Sequence, residues 1–379
     1  MKIRTSLYLL CVFCLACRKI PPSASNLPSA DFSQVFDEFW NDMNINYMYW
    51  DIDTTDWDAV YTRYNPLFGQ LHLGDSADLE KSVGYFRSIT DGLIDHHYSM
   101  SFLNAALSDS LIDPAIDQLR KEPGFRGTYS FLFTDEHYLD TGYQYGFYNA
   151  ITPPLLTLSG TIGGSILFFS CNQFDLSDAF HSSVSNSARS VLQYFLNKLQ
   201  HPEGLKGILL DFRGNPGGAV SDLDFFGGQF VPQPLHFGYT RYKSGNGRLD
   251  YTPWIDADVT PQAGAVVPNL PIVILADRYT ASMAEILSMA LRTLPHCRIV
   301  GETTFGATGP FTDNALYDDG PFQVPGFLSV ITSSAEFKYI DGKSYEGKGF
   351  PPDYPVAFDA NALIAGDDPQ MDKALSLMK

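Results

Sequence analysis

The sequence predicts an α/β protein, with a layered core behind a small helical N-terminal unit. Three observations carry this reading. Past residue 160, short apolar runs alternate with amphipathic stretches at helical spacing, the pattern of strands layered against helices. Residues 31–102 hold helical periodicity in their apolar positions. The chain has 379 residues, 45% of them hydrophobic, enough for one large domain with attachments or for two domains.

The elements follow in order. Lys2 and Arg4 precede the apolar run "LYLLCVFCLA", too short to span a bilayer, and residues 1–16 read as an export signal. The run ends in "CLAC", with Ala16 before Cys17. That ending resembles the lipobox of bacterial lipoproteins, which would make Cys17 the lipidated first residue of the mature chain. Residues 17–30, rich in Pro and Ser, read as a flexible tether. In "FSQVFDEFWNDMNINY", Phe32, Val35, Phe36, Phe39 and Trp40 share one helical face, and Leu79, Val83, Phe86 and Ile89 repeat the spacing. Residues 103–160 read as a short linker or insert, in which "DPAIDQLR" suggests a short helix and the aromatic-rich "GTYSFLFTDEHYLDTGYQYGFY" suggests short strands. The core, 161–379, runs "GSILFFSC" (strand), "SSVSNSARSVLQYFLNKLQ" (helix), "KGILLDF" (strand), "AVSDLDFFGGQF" (helix), "LPIVILA" (strand) and "SMAEILSMALRTL" (helix).

Charge and cysteines exclude several classes. With 43 acidic and 25 basic residues the net charge is −18, which argues against nucleic acid and against electrostatic adhesion to anionic lipid. Cys11, Cys14 and Cys17 lie in or beside the export signal, which argues against a metal site there. Cys171 and Cys297 sit among apolar residues and read as buried free thiols.

Two short motifs carry chemistry. In "DFRGNPGG" an apolar strand runs into Gly214, Gly217 and Gly218, where backbone N–H groups can face a ligand without Cβ obstruction; a tight strand–helix turn would need the same glycines. In "DRYTASMAEILSMAL", Ser282 lies between the run "PIVILA" and an amphipathic helix. Ser282-Met283-Ala284-Glu285 is a capping-box pattern, but a serine flanked by small residues on a strand–helix turn is also how a nucleophile is presented. The residues alone leave both readings open.

These two segments, with "IVGETTFGATG" (299–309), "LIDHHYS" and "YEGKGFPPDYPV", resemble in order and content the tail-specific (C-terminal processing) serine peptidases and their tricorn-like relatives. The resemblance implies a crotonase-like core with a helical cap and makes Ser282 the nucleophile. It assigns the oxyanion-holding N–H groups to Gly217 and Met283. The PDZ module of many relatives is expected to be absent or vestigial within 103–160. In the tail-specific branch a lysine follows the Phe-Gly of the strand-loop, where this chain has Ala307. The tricorn-like branch instead uses a histidine and a glutamate, which fall on His97 and Glu346. Where those relatives place a small hydroxyl residue this chain has His96, a possible relay. Lys338, Lys343 and Lys348 would serve as bases only if folding brought one close.

The expectation is a serine endopeptidase forming an acyl-enzyme on peptide or protein substrates. It would need no metal or organic cofactor, and would be exported and lipid-anchored at the outer membrane or facing the periplasm. The rival expectation is an inactive peptide-binding pseudo-protease.

Overall fold

The computed structural model describes residues 28–122, 125–127, 131–265, 269–311 and 320–378. The export signal and Cys17 lie outside the described residues. No described helix is long and apolar enough to cross a membrane.

Helices Phe32–Asn46, Trp57–Phe68 and Ser76–Thr90 each start at an aspartate, Asp31, Asp56 and Asp75, whose carboxylate accepts a first-turn N–H. Such caps satisfy donors that the helix itself leaves unpaired. Phe32, Val35, Phe36, Phe39 and Met43 are buried along the first helix, while Trp40 lies at the rim. Leu79, Phe86 and Ile89 are buried on the third, and Val83 is half-buried. The helices pack on a four-stranded antiparallel sheet in the order Phe322–Val324, Leu328–Ile331, Ser99–Phe102, Leu111–Ile112. The N-terminal unit is therefore completed by a hairpin from the C-terminal half. Nothing in the local pattern of 31–102 announces that partner.

The core sheet has seven strands in the order Tyr354–Pro355, Cys297–Gly301, Ile272–Ala276, Gly207–Asp211, Ile166–Cys171, Leu155–Ile162, Gln144–Tyr148. The first five are parallel and the last two antiparallel. Gly207–Asp211 and Ile272–Ala276 are buried at every residue, as covering both faces requires. Ile208, Leu210, Ile272 and Ile274 face helices Ser187–Gln200 and Met283–Arg292. Leu209, Val273 and Leu275 face the C-terminal helix Pro369–Ser376 through Met371 and Ala374. A three-stranded antiparallel sheet, Ala335–Tyr339, Leu235–Tyr242, Ile255–Val259, flanks this body.

Two local readings change. Gln144–Tyr148, a strand at the end of the aromatic-rich stretch as suggested, and Leu155–Ile162 belong to the core sheet rather than to a linker or insert. The helix expected over "AVSDLDFFGGQF" is one π-helical turn, Leu223–Gly227, followed by a 3-10 turn, Gly228–Phe230. Adjacent glycines weaken the helix there, and a Cβ on Gly228 would lie 2.3 Å from the Thr260 carbonyl oxygen. Cys171 and Cys297 are buried and free.

Candidate active site

The carboxyl ends of the parallel strands, where ligands bind in open α/β sheets, carry the three motif loops. Ser282 ends the loop after Ile272–Ala276 and stands at the head of helix Met283–Arg292 with φ 54° and ψ −123°. Among the described residues it is the only non-glycine with positive φ. Such a backbone costs on the order of 1–3 kcal/mol and persists only where its surroundings over-determine it. Here they do: Ala281 N–H donates to the Asn215 carbonyl (3.0 Å), the Thr280 hydroxyl to the Phe212 carbonyl (2.9 Å), and Phe305 N–H to the Thr280 carbonyl (3.0 Å). Glu285 accepts the Ser282 N–H at 3.1 Å, one half of the capping box. The reciprocal contact of the hydroxyl falls short of a hydrogen bond. An ordinary cap has extended dihedrals; Ser282, although its side chain faces the Glu285 N–H in a capping-box arrangement, does not.

The glycine turn packs directly on this elbow. Gly217 has φ +97°, and a Cβ there would lie 2.6 Å from Ser282 Cβ and 2.7 Å from Met283 N. Met283 N–H donates to no acceptor among the described residues, whereas Gly217 N–H donates to Asn215 Oδ1 at 2.8 Å. In this conformation the expected oxyanion pair thus has one donor free and one engaged. Buried Arg213 anchors the turn, bonding Asp211, Asp368 (2.7 Å) and Gln370 (2.9 Å).

Glu285 joins the third loop to the elbow. Its Oε1 accepts from the Thr304 hydroxyl (2.5 Å) and Gly306 N–H (2.7 Å), and its Oε2 from Ala307 N–H (2.8 Å) as well as Ser282 N–H. Ala307, only 2% exposed, thus lies beside the serine backbone, with no side chain able to take a proton. Burial pushes the Glu285 carboxyl up to about 7, against the pull of its four donors. Of the three lysines considered, Lys338 lies over the Trp254 ring, Lys343 pairs with Asp341, and Lys348 is exposed.

Asp95, His97 and Glu346 form a second cluster, one donor atom from each lying within 4.8 Å of the others. Glu346 does not bond the imidazole. Its Oε1 accepts His96 N–H (2.9 Å); its Oε2 accepts Thr308 N–H (2.7 Å), the Thr308 hydroxyl (3.0 Å) and Gly309 N–H (2.9 Å). Burial, then the charge of Asp95, raises its carboxyl well above the usual range. The His96 ring is no bridge either, because its Nδ1 donates to the Phe305 carbonyl at 2.7 Å. His97 Nδ1 lies 3.5 Å from the Ser333 hydroxyl, and its Nε2 is buried with no partner among the described residues. Burial lowers the His97 pKa, partly opposed by Asp95 and reinforced by His96. The pull of the neighbouring carboxylate is therefore outweighed by desolvation. With four donors on each carboxylate, a metal ion would have to displace existing hydrogen bonds.

The structure thus joins Ser282, Gly217, Met283 and Ala307 in one contact set and His97 with Glu346 in another, bridged by the loop Gly306–Gly309. No hydrogen bond links Ser282 Oγ to His97. Asp95 and Ser333 were not singled out from sequence. Asp95, two residues before His97, offered a faint signal, and Ser333 in "TSSAEF" offered none.

Residues 172–356 match the model of peptidase family S41, and residues 28–70 that of the tricorn protease C1 domain. The carboxy-terminal processing protease CtpA of Bacillus subtilis (strain 168) is 30% identical over 173 residues, 46% of this chain and 34% of that protein. The chain thus spans about a third of this relative's length. A crystal structure of a candidate peptidase from Parabacteroides merdae ATCC 43184 superposes with TM-score 0.70 at 22% identity, covering 92% of this chain and 97% of that one. Mature CPAF complexed with lactacystin superposes with TM-score 0.59 at 12% identity over 92% and 97% of the two chains. These two likenesses show a shared fold. The stretch that matches the peptidase family S41 model holds Ser282, Gly217, Met283 and Glu346 but not His97.

Proposed function

We propose that this protein is a serine endopeptidase that cleaves polypeptides through an acyl-enzyme on Ser282. The observation that carries the reading is the strained elbow: a serine with φ 54° at the N-terminal end of a buried helix. The helix end favours negative charge, and Met283 N–H is free to receive an oxyanion. In the scheme, Ser282 Oγ attacks the carbonyl carbon and His97 Nε2 takes its proton. Met283 N–H and Gly217 N–H, once Gly217 turns from Asn215, hold the oxygen. Glu346 holds Thr308, Gly309 and the His96 backbone in place beside the base. The scheme comes with a crotonase-like core in which a PDZ module is absent or vestigial.

A fluorophosphonate probe tests it. Labelling of Ser282 in the wild type, absent in Ser282→Ala, supports the proposal; no labelling and no hydrolysis of a denatured-protein substrate overturns it. The second reading, a peptide-binding pseudo-protease, is favoured by the buried Ala307 and the engaged Gly217 N–H. It predicts peptide binding without labelling. We also propose export and lipid anchoring through Cys17. Cys17→Ala should move the protein out of the membrane fraction; unchanged partitioning and processing would refute the anchor.

A further inference from the structure

We infer that Asp95, acting through the Ser333 hydroxyl, is the carboxylate that orients His97, a role the family pattern would give to Glu346. The inference rests on His97 being the base. Proton directions carry it. Asp95 Oδ1 accepts from the Ser333 hydroxyl (2.9 Å) and His97 N–H (2.9 Å), and its Oδ2 from the Thr332 hydroxyl (2.5 Å) and Ser333 N–H (2.8 Å). A carboxylate has about four lone-pair sites, and all are filled, so Asp95 acts only as an acceptor. The single Ser333 proton therefore points at Asp95, and a lone pair of the same oxygen is left for His97 Nδ1.

Nδ1 must then carry the imidazole hydrogen and Nε2 the lone pair, the tautomer a general base needs. That Nε2 is the buried atom without a partner. The Nδ1 contact is long at 3.5 Å, as catalytic hydrogen bonds often are before substrate binds. Glu346 cannot fill the role in this conformation, since its oxygens face four other donors.

The fold supplies the relay by register. Ser99–Phe102 pairs with Leu328–Ile331, Ser99 opposite Ile331, so the turn before one strand meets the residues after the other. Asp95 and Ser333 are both buried, and solvent does not compete for the contact. The titratable groups facing His97 are Asp95 and His96 from its own turn and Glu346 from the loop after Ser344; the N-terminal unit adds the Tyr49 phenol, and the Leu328–Ile331 side adds only the hydroxyls of Thr332 and Ser333.

Kinetics of the full chain on one peptide substrate test this. Ser333→Ala should lower kcat by about 10- to 100-fold with KM within about twofold, part of the 10²–10⁴ attributable to a general base. The acid limb of kcat/KM should move to lower pH, because the imidazolium loses its hydrogen-bond acceptor. Ser333→Thr should recover most of the rate. Should Ser333→Ala fail to fold, Ser333→Cys, a poorer donor and acceptor, should show the same kcat loss and limb shift. Wild-type kcat and an unmoved acid limb in a folded Ser333 variant would overturn the relay. Including His97→Ala separates the two levels: if it is inactive while Ser333→Ala is unaffected, only the relay fails. If His97→Ala is itself fully active, the base assignment fails and the relay with it.

Discussion

The two halves of the candidate site are built in opposite ways. The nucleophile half is assembled from loops at the ends of neighbouring parallel strands: Gly217 touches Ser282 Cβ, and Glu285, three residues on, bonds the serine's own N–H. The base half is assembled across the chain. Asp95 and His97 sit in a turn of the N-terminal unit, and their partners Ser333 and Glu346 come from more than two hundred residues away. The first half holds strain; the second holds saturated carboxylates around one orphan nitrogen. Local sequence can display each loop of the elbow, because the glycines of one and the small residues around Ser282 in the other each lie within a few residues of one another. A buried hydroxyl relay depends on strand register, and local sequence does not display it.

The largest expected effect lies on the nucleophile side. Ser282→Ala should reduce hydrolysis and probe labelling to background while the protein stays folded, measured by turnover alongside circular dichroism. Retained activity would dissolve the distinction between the halves. Next, His97→Ala should cost about 10²–10⁴ in kcat. The acid limb of wild-type kcat/KM should fall below the ordinary histidine value of about 6.5, because burial disfavours the imidazolium. An acid limb above that value would place the base elsewhere.

Glu285 joins the elbow to the loop that leads to the base, and it sharpens the comparison through stability. Its carboxyl is raised to about 7. A raised carboxyl contributes stability that is full below its unfolded value, about 4.5, and lost as pH rises through about 7. Urea unfolding from pH 4 to 8 should therefore show less loss toward high pH in Glu285→Gln than in wild type. Equal slopes would refute this. The smallest effect is the release of strain: Ser282→Gly should raise stability by about 1 kcal/mol, since glycine accepts this backbone without Cβ conflict. A destabilised Ser282→Gly would mean that the elbow is not strained.

Much of the nucleophile half was legible. The strand "PIVILA", the small residues around Ser282 and the glycines after "ILLDF" each report a local requirement, and the structure meets them within a residue or two. The alanine at 307, where the resemblance would have a lysine, was equally plain, and its N–H bonds the same Glu285 carboxylate as the Ser282 N–H. Less legible were the core strands Gln144–Tyr148 and Leu155–Ile162, whose glycines and hydroxyl residues break the uniform apolar character of doubly covered strands. Glu285 was visible as a capping residue, but its clamp on Thr304, Gly306 and Ala307 was not.

The sequence by itself determined the α/β alternation, the helical faces of the N-terminal unit, the glycine turn and the position of Ser282, because each rests on residues within one turn or one strand of each other. Only the tertiary structure decided which acceptor engages Gly217 N–H, that Glu346 bonds backbone rather than imidazole, and that Asp95 reaches His97 through Ser333. Those choices turn on differences of an ångström between groups distant in sequence. Burial then decides their charge, as it does for His97 and Glu285, and burial is a property of the packed fold rather than of any short segment.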